Sequence, residues 1–150
     1  MSISPVSRRI AGLLLLTVVA VQFGGYFLTR VVSGQEQLTD FQTGFARAGH
    51  AHAGVLIILS LVCLLLVDAI EPRGAAAYVA RLAVPAAAVL MSAGFFLSSM
   101  GSGLDEPNGW IVVLWLGAAS LTVGVLTLGV ALLRAGPTPS SSPAERARTR

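Results

Sequence analysis

The sequence predicts an all-α fold: an integral membrane four-helix bundle, running up-down-up-down, with both termini cytoplasmic. Three observations carry this. The chain of 150 residues is 55% hydrophobic and only 11% charged, with a mean hydropathy of +0.79, a balance too apolar for a soluble domain. Four apolar stretches, at 10–28, 48–67, 82–100 and 110–133, each match the roughly 20 residues of helix that cross a bilayer core. None of them contains Asp, Glu, Lys or Arg. Finally, the ten basic residues are all arginine, and eight of them (8, 9, 73, 81, 134, 146, 148 and 150) fall on one side of the implied membrane. The positive-inside rule makes that side cytoplasmic, in a multi-pass protein of the cell membrane. The runs are continuously apolar rather than alternating, which excludes a β-barrel.

The first span, 10–28, follows Arg8 and Arg9, a pattern shared with signal peptides. It continues through Leu28, longer than a signal core, and is read as a retained span. Thr29 to Phe45 is the longest and most polar connection. Its end, Asp40 to Arg47, mixes aromatic and polar residues as an interfacial segment does, with Asp40 or Thr43 available to cap a short helix. The second span, 48–67, opens on Gly49-His50-Ala51-His52-Ala53-Gly54. Asp68 to Arg81 is read as the inner connection, and its Glu71-Pro72-Arg73-Gly74 is a tight-turn signal that makes spans two and three antiparallel.

The third span, 82–100, carries Pro85 near its inner end, where a backbone hydrogen bond is lost. Gly101 to Gly109 is an outer turn, with Asn108 placed to cap the last helix. In the fourth span, 110–133, Gly117, Ser120, Gly124, Thr127 and Ala131 recur every three or four residues. They form a stripe of small side chains for close helix contact, within the bundle or between subunits. Residues 1–136 thus form one transmembrane domain, and the Pro-, Ser- and Arg-rich 137–150 is expected to be a disordered cytoplasmic tail.

Ionisable groups inside a bilayer are costly and usually face a bundle interior or a wet cavity, which singles out the chain's two histidines, His50 and His52. Neutral imidazole ligates iron, copper and zinc and hydrogen-bonds quinone oxygens. The expectation is an outward-facing site for haem, a metal ion or a quinone, centred on His50 and His52. Arg47, Gln22 and Met100 are expected to complete the cofactor-binding set, because with Ser98 and Ser99 they fall at similar depth near the outer surface. For a metal, His50 and His52 are the expected ligands, although residues two apart on a regular helix point about 200° from one another. Cys63 lies about three turns deeper and cannot join them.

A haem held by two histidines of this chain lacks a second histidine-bearing span, so Met100 or Met91, or a second subunit, would supply the other ligand. The His-X-His opening of an apolar helix resembles haem-carrying spans of respiratory oxidases and nitric-oxide reductases over Gly49 to Gly54. The further histidines of those families are absent from this chain.

The competing expectation is a non-catalytic accessory subunit of a larger membrane complex, with the histidines as interhelical hydrogen-bond glue. Expected partners are the lipid bilayer and either a homo-oligomer or a larger membrane complex. Nucleic acid is excluded, because no basic patch is interleaved with aromatics. No Ser-His-Asp, paired-carboxylate or phosphate-loop pattern supports hydrolysis or phosphoryl transfer. Adjacent Asp105 and Glu106 read as a solvated turn, since a cation needs more oxygen ligands.

Overall fold

The computed structural model describes residues 3–136, and the tail expected at 137–150 lies outside the described residues. Its four helices are α1 (Pro5–Val32), α2 (Asp40–Ile70), α3 (Ala75–Ser98) and α4 (Ile111–Arg134), each long and apolar enough to span a membrane. There is no strand among the described residues. Each helix packs chiefly on its sequence neighbours. The α3–α4 and α2–α3 contacts are the most extensive, α1 leans mainly on α2, and α1 and α4 do not touch. Both ends of the described chain therefore lie at one end of the bundle, called here the terminal end; the α1–α2 and α3–α4 loops lie at the distal end.

Two of the helices, α1 and α2, outrun the apolar windows at starts that are capped. Ser4 opens α1, its hydroxyl accepting from the Ser7 N–H, with Pro5 at the first helical position where no N–H is needed. Thr39 opens α2 in a reciprocal capping box with Gln42. The cap is thus one residue ahead of Asp40. The segment expected to lie on the membrane as a separate short helix is instead the first two turns of a continuous α2, because nothing between Asp40 and Arg47 breaks the backbone ladder.

Gln42, which is buried, also donates from Nε2 to the carbonyls of Ser99 (3.0 Å) and Gly101 (2.7 Å), while the Thr39 hydroxyl donates to the carbonyl of Leu104. These bonds latch the start of α2 to the α3–α4 loop. Asn108 organises the same loop. Its Nδ2 donates to the carbonyls of Leu97 and Met100 and its Oδ1 accepts from the Trp110 N–H, just ahead of α4. The α2–α3 connection shrinks to Glu71–Gly74, with Glu71 closing α2 in the left-handed region (φ 46°) and Gly74 at φ 66°.

The core has three parts. Cys63 and Val67 of α2 meet Ala80 and Val84 of α3 and Leu128 of α4. Leu56 of α2 meets Ala88 and Met91 of α3. Leu14 of α1 meets Ile57 and Leu64 of α2. Cys63 is a free thiol and a packing residue within the first of these.

The stripe on α4 is spent inside the bundle. A Cβ on Gly117 would meet the Met91 backbone N at 2.6 Å, and one on Gly124 would meet Val84 Cγ2 at 2.9 Å. The Ser120 hydroxyl donates to the carbonyl of Ala83 at 2.9 Å. From the other side, a Cβ on Gly94 of α3 would press directly on the Leu114 backbone N. Small residues on both helices bring the two backbones together, which in lipid is the main source of helix association.

Candidate functional site

The two histidines diverge, as the helical angle requires. His50 turns toward α1, where Gly24 and Gly25 make room for its ring. A Cβ on Gly24 would lie 3.4 Å from His50 Nδ1, and one on Gly25 would lie 3.2 Å from Cε1. His52 turns toward α3 and packs on Phe95, with ring centroids 4.9 Å apart. Phe95 in turn meets Phe45, and Phe45 meets Phe41, so His52 sits in an aromatic cluster at the distal end. His52 Nδ1 lies 2.8 Å from the carbonyl of Ala48 one turn earlier. A carbonyl only accepts, so that nitrogen carries the proton and donates.

His50 differs in kind. Its Nδ1 is buried and has no hydrogen-bond partner. An unpaired buried polar atom of this sort costs roughly 1–3 kcal/mol and calls for an explanation. That nitrogen is covered by the Gly24 backbone of α1, while the residue as a whole lines a cavity of about 220 Å³ between α1, α2 and α3. Alpha helix α1 supplies Leu14, Thr17, Ala20, Val21 and Gly24 to its wall, α2 supplies His50, Ala53 and Ile57, and α3 supplies Ala88, Val89, Ser92 and Phe96. The hydroxyl protons of Thr17 and Ser92 are already given to the carbonyls of Leu14 and Ala88 in their own helices. The wall is otherwise apolar, so His50 is its principal unspent polar group.

The other expected members do not converge there. Gln22 is exposed on α1, Arg47 is exposed one turn before His50, and Met100 lies past the end of α3 and is 64% exposed; none lines the cavity. The Ser98 and Ser99 hydroxyls bond to carbonyls of their own helix, Gly94 and Phe95. This is the local alternative that serine takes in a helix, and it dissolves the polar layer that depth alone predicts. Among the described residues no three His, Cys, Asp or Glu side chains come together as a metal ion would need.

Two features escape the sequence reading. The cavity-lining residues follow helical spacing on each helix, such as Thr17, Ala20, Val21 and Gly24, but the same spacing marks any packed face. The second is a part-buried ionic cluster at the terminal end. Asp68 accepts from Arg81 Nη2 at 2.8 Å, from the Ser7 hydroxyl at 3.0 Å and from the Ser4 N–H at 2.8 Å, while Arg81 Nε donates to Ser7 Oγ at 3.1 Å. Read as loop residues, Asp68 and Arg81 instead lie in the last turn of α2 and the second turn of α3, and they bind the start of α1 between them. An acidic residue ending one apolar span and a basic residue opening the next was the signal available for the pair.

The chain matches no protein-family model, and neither a curated protein nor a solved structure matches it.

Proposed function

We propose that this is a multi-pass membrane protein, with both termini cytoplasmic, that binds a small membrane-dissolved ligand of the quinone class at His50. The single observation carrying the reading is that His50, whose ring has no hydrogen-bond partner at its buried Nδ1, lines an apolar cavity of about 220 Å³. A cavity of about 150 Å³ lined by apolar side chains accommodates a benzene-sized ring. The space at His50 therefore suits one ring carrying a carbonyl or hydroxyl, which the imidazole would satisfy as donor or acceptor. The divergence of His50 from His52, and the presence of only His50 among the cavity-lining residues, favour a quinone over a haem macrocycle or a metal ion. His52, bonded within its own helix and stacked on Phe95, serves packing.

The test uses protein labelled with 15N at histidine, placed in lipid nanodiscs and titrated with a short-tailed ubiquinone analogue. The expected result is a saturable shift of the His50 nitrogens with His52 unmoved. His50→Leu should weaken binding about tenfold, the equivalent of one hydrogen bond of about 1.4 kcal/mol. It should also leave the ligand-free protein as stable or more so, because it removes an unsatisfied polar atom. No saturable shift at either histidine sinks the quinone reading and puts the accessory subunit forward.

Orientation is tested separately. Reporters inserted at Gln37 and at Arg73 should fall on opposite sides, with Arg73 inside, because the arginine bias places the α2–α3 turn in the cytoplasm. Arg73 accessible from outside would invert the protein and place His50 near the inner face.

A further inference from the structure

The cavity is elongated along the helices and polar at one end only. On α1 it runs from Gly24 back to Leu14, ten residues or about 15 Å of helix, and on α2 from His50 to Ile57, seven residues or about 10 Å. His50 and the glycine notch that seats it lie toward the distal end, whereas Leu14, Ile57 and Ala88 close the other end with hydrocarbon. Leu14 and Ile57 there belong to the buried contact that holds α1 to α2. Between the flanking helices α1 and α3 there is little direct contact, and Val89 on the cavity wall is 57% exposed, so the cleft opens sideways toward the bilayer.

Resting on the reading of His50 as a quinone site, we infer that the cleft selects a single-headed amphiphile. Its ring lies at His50 toward the distal end, and its apolar tail runs along the helices toward Leu14 and Ile57. A tail gains little hydrophobic energy by leaving lipid for an equally apolar groove, so the head sets the direction. The inverted pose would bury the ring's oxygens against Leu14, Ile57 and Ala88, where the hydroxyl protons of Thr17 and Ser92 are already given away, and would leave His50 unpaired.

Photolabelling of the full protein in nanodiscs tests the orientation with two probes: an alkyl-tailed benzoquinone bearing an azide on the ring, and the same molecule with the azide at the end of the tail. The ring azide is expected to mark peptides around Gly24, His50 and Phe96, and the tail azide those around Leu14, Ile57 and Ala88. Excess unlabelled quinone should suppress both patterns at least tenfold. Competed ring labelling at His50 with tail labelling at the same distal end, or at the ends exchanged, overturns the orientation and leaves the site standing. Labelling by both probes that spreads over lipid-facing residues such as Leu16 and Val55 without competition overturns the site as well.

Discussion

Asp68→Ala should cost about 3–5 kcal/mol of stability, the loss typical of breaking a buried ion pair by removing one partner. The Asp68 side chain is only 4% exposed and that of Arg81 17%, so the guanidinium left behind has little water to replace the carboxylate. The Ser7 hydroxyl and the Ser4 N–H lose their acceptor at the same time. Because α1 has only Ser7 and Leu14 buried, this cluster is a large part of what holds that helix to the bundle. Thermal unfolding in detergent should therefore fall sharply, and protease cleavage near the start of α1 should rise. The paired replacement Asp68→Leu with Arg81→Met should lose less than Asp68→Ala alone, since an apolar pair leaves no stranded charge. A single Asp68→Ala variant that melts with the wild type would show that the cluster carries no stability.

The second large effect concerns the α3–α4 contact, where alanine substitutions should form a graded series. Gly94→Ala is expected to be worst, at about 3 kcal/mol or more, because the new Cβ would press on the Leu114 backbone N and stand 2.5 Å from its Cα. Backbone cannot swing aside as a side chain can. Gly117→Ala meets both the flexible Met91 side chain and its backbone N at 2.6 Å, and should follow. Gly124→Ala, facing Val84 Cγ2 at 2.9 Å and Ala83 Cβ at 3.0 Å, should cost least of the three. Gly129→Ala has nothing within 4 Å of the added atom and should be neutral or stabilising by about 0.5–1 kcal/mol, the ordinary helix preference for alanine. Melting temperatures that ignore this order would mean the helices sit further apart than the contacts at Gly94 and Gly117 require.

The number of helices, their antiparallel order and their lipid-facing character were legible from hydropathy, because a bilayer demands about 20 apolar residues and satisfied backbone bonds whatever the packing. So was the divergence of His50 and His52, which is fixed by 3.6 residues per turn. The small-residue stripe on α4 was legible as a contact face, but its partner was not, since glycine at helical spacing is the same signal inside a bundle and between subunits.

What tertiary structure alone decided is which polar side chains find partners. Ser98, Ser99 and His52 lie at the right depth for a shared site yet bond within their own helices, and Gln22, Arg47 and Met100 point elsewhere. Depth along a helix is a sequence property, whereas rotation about its axis relative to two neighbours is set by packing. For the same reason Gly24 and Gly25 gained meaning only when α1 was laid against α2 and His50 was found in the notch they leave. Asp68 and Arg81, 13 residues apart across a turn, became a part-buried pair because closing the α2–α3 hairpin set them side by side and the start of α1 packed over them.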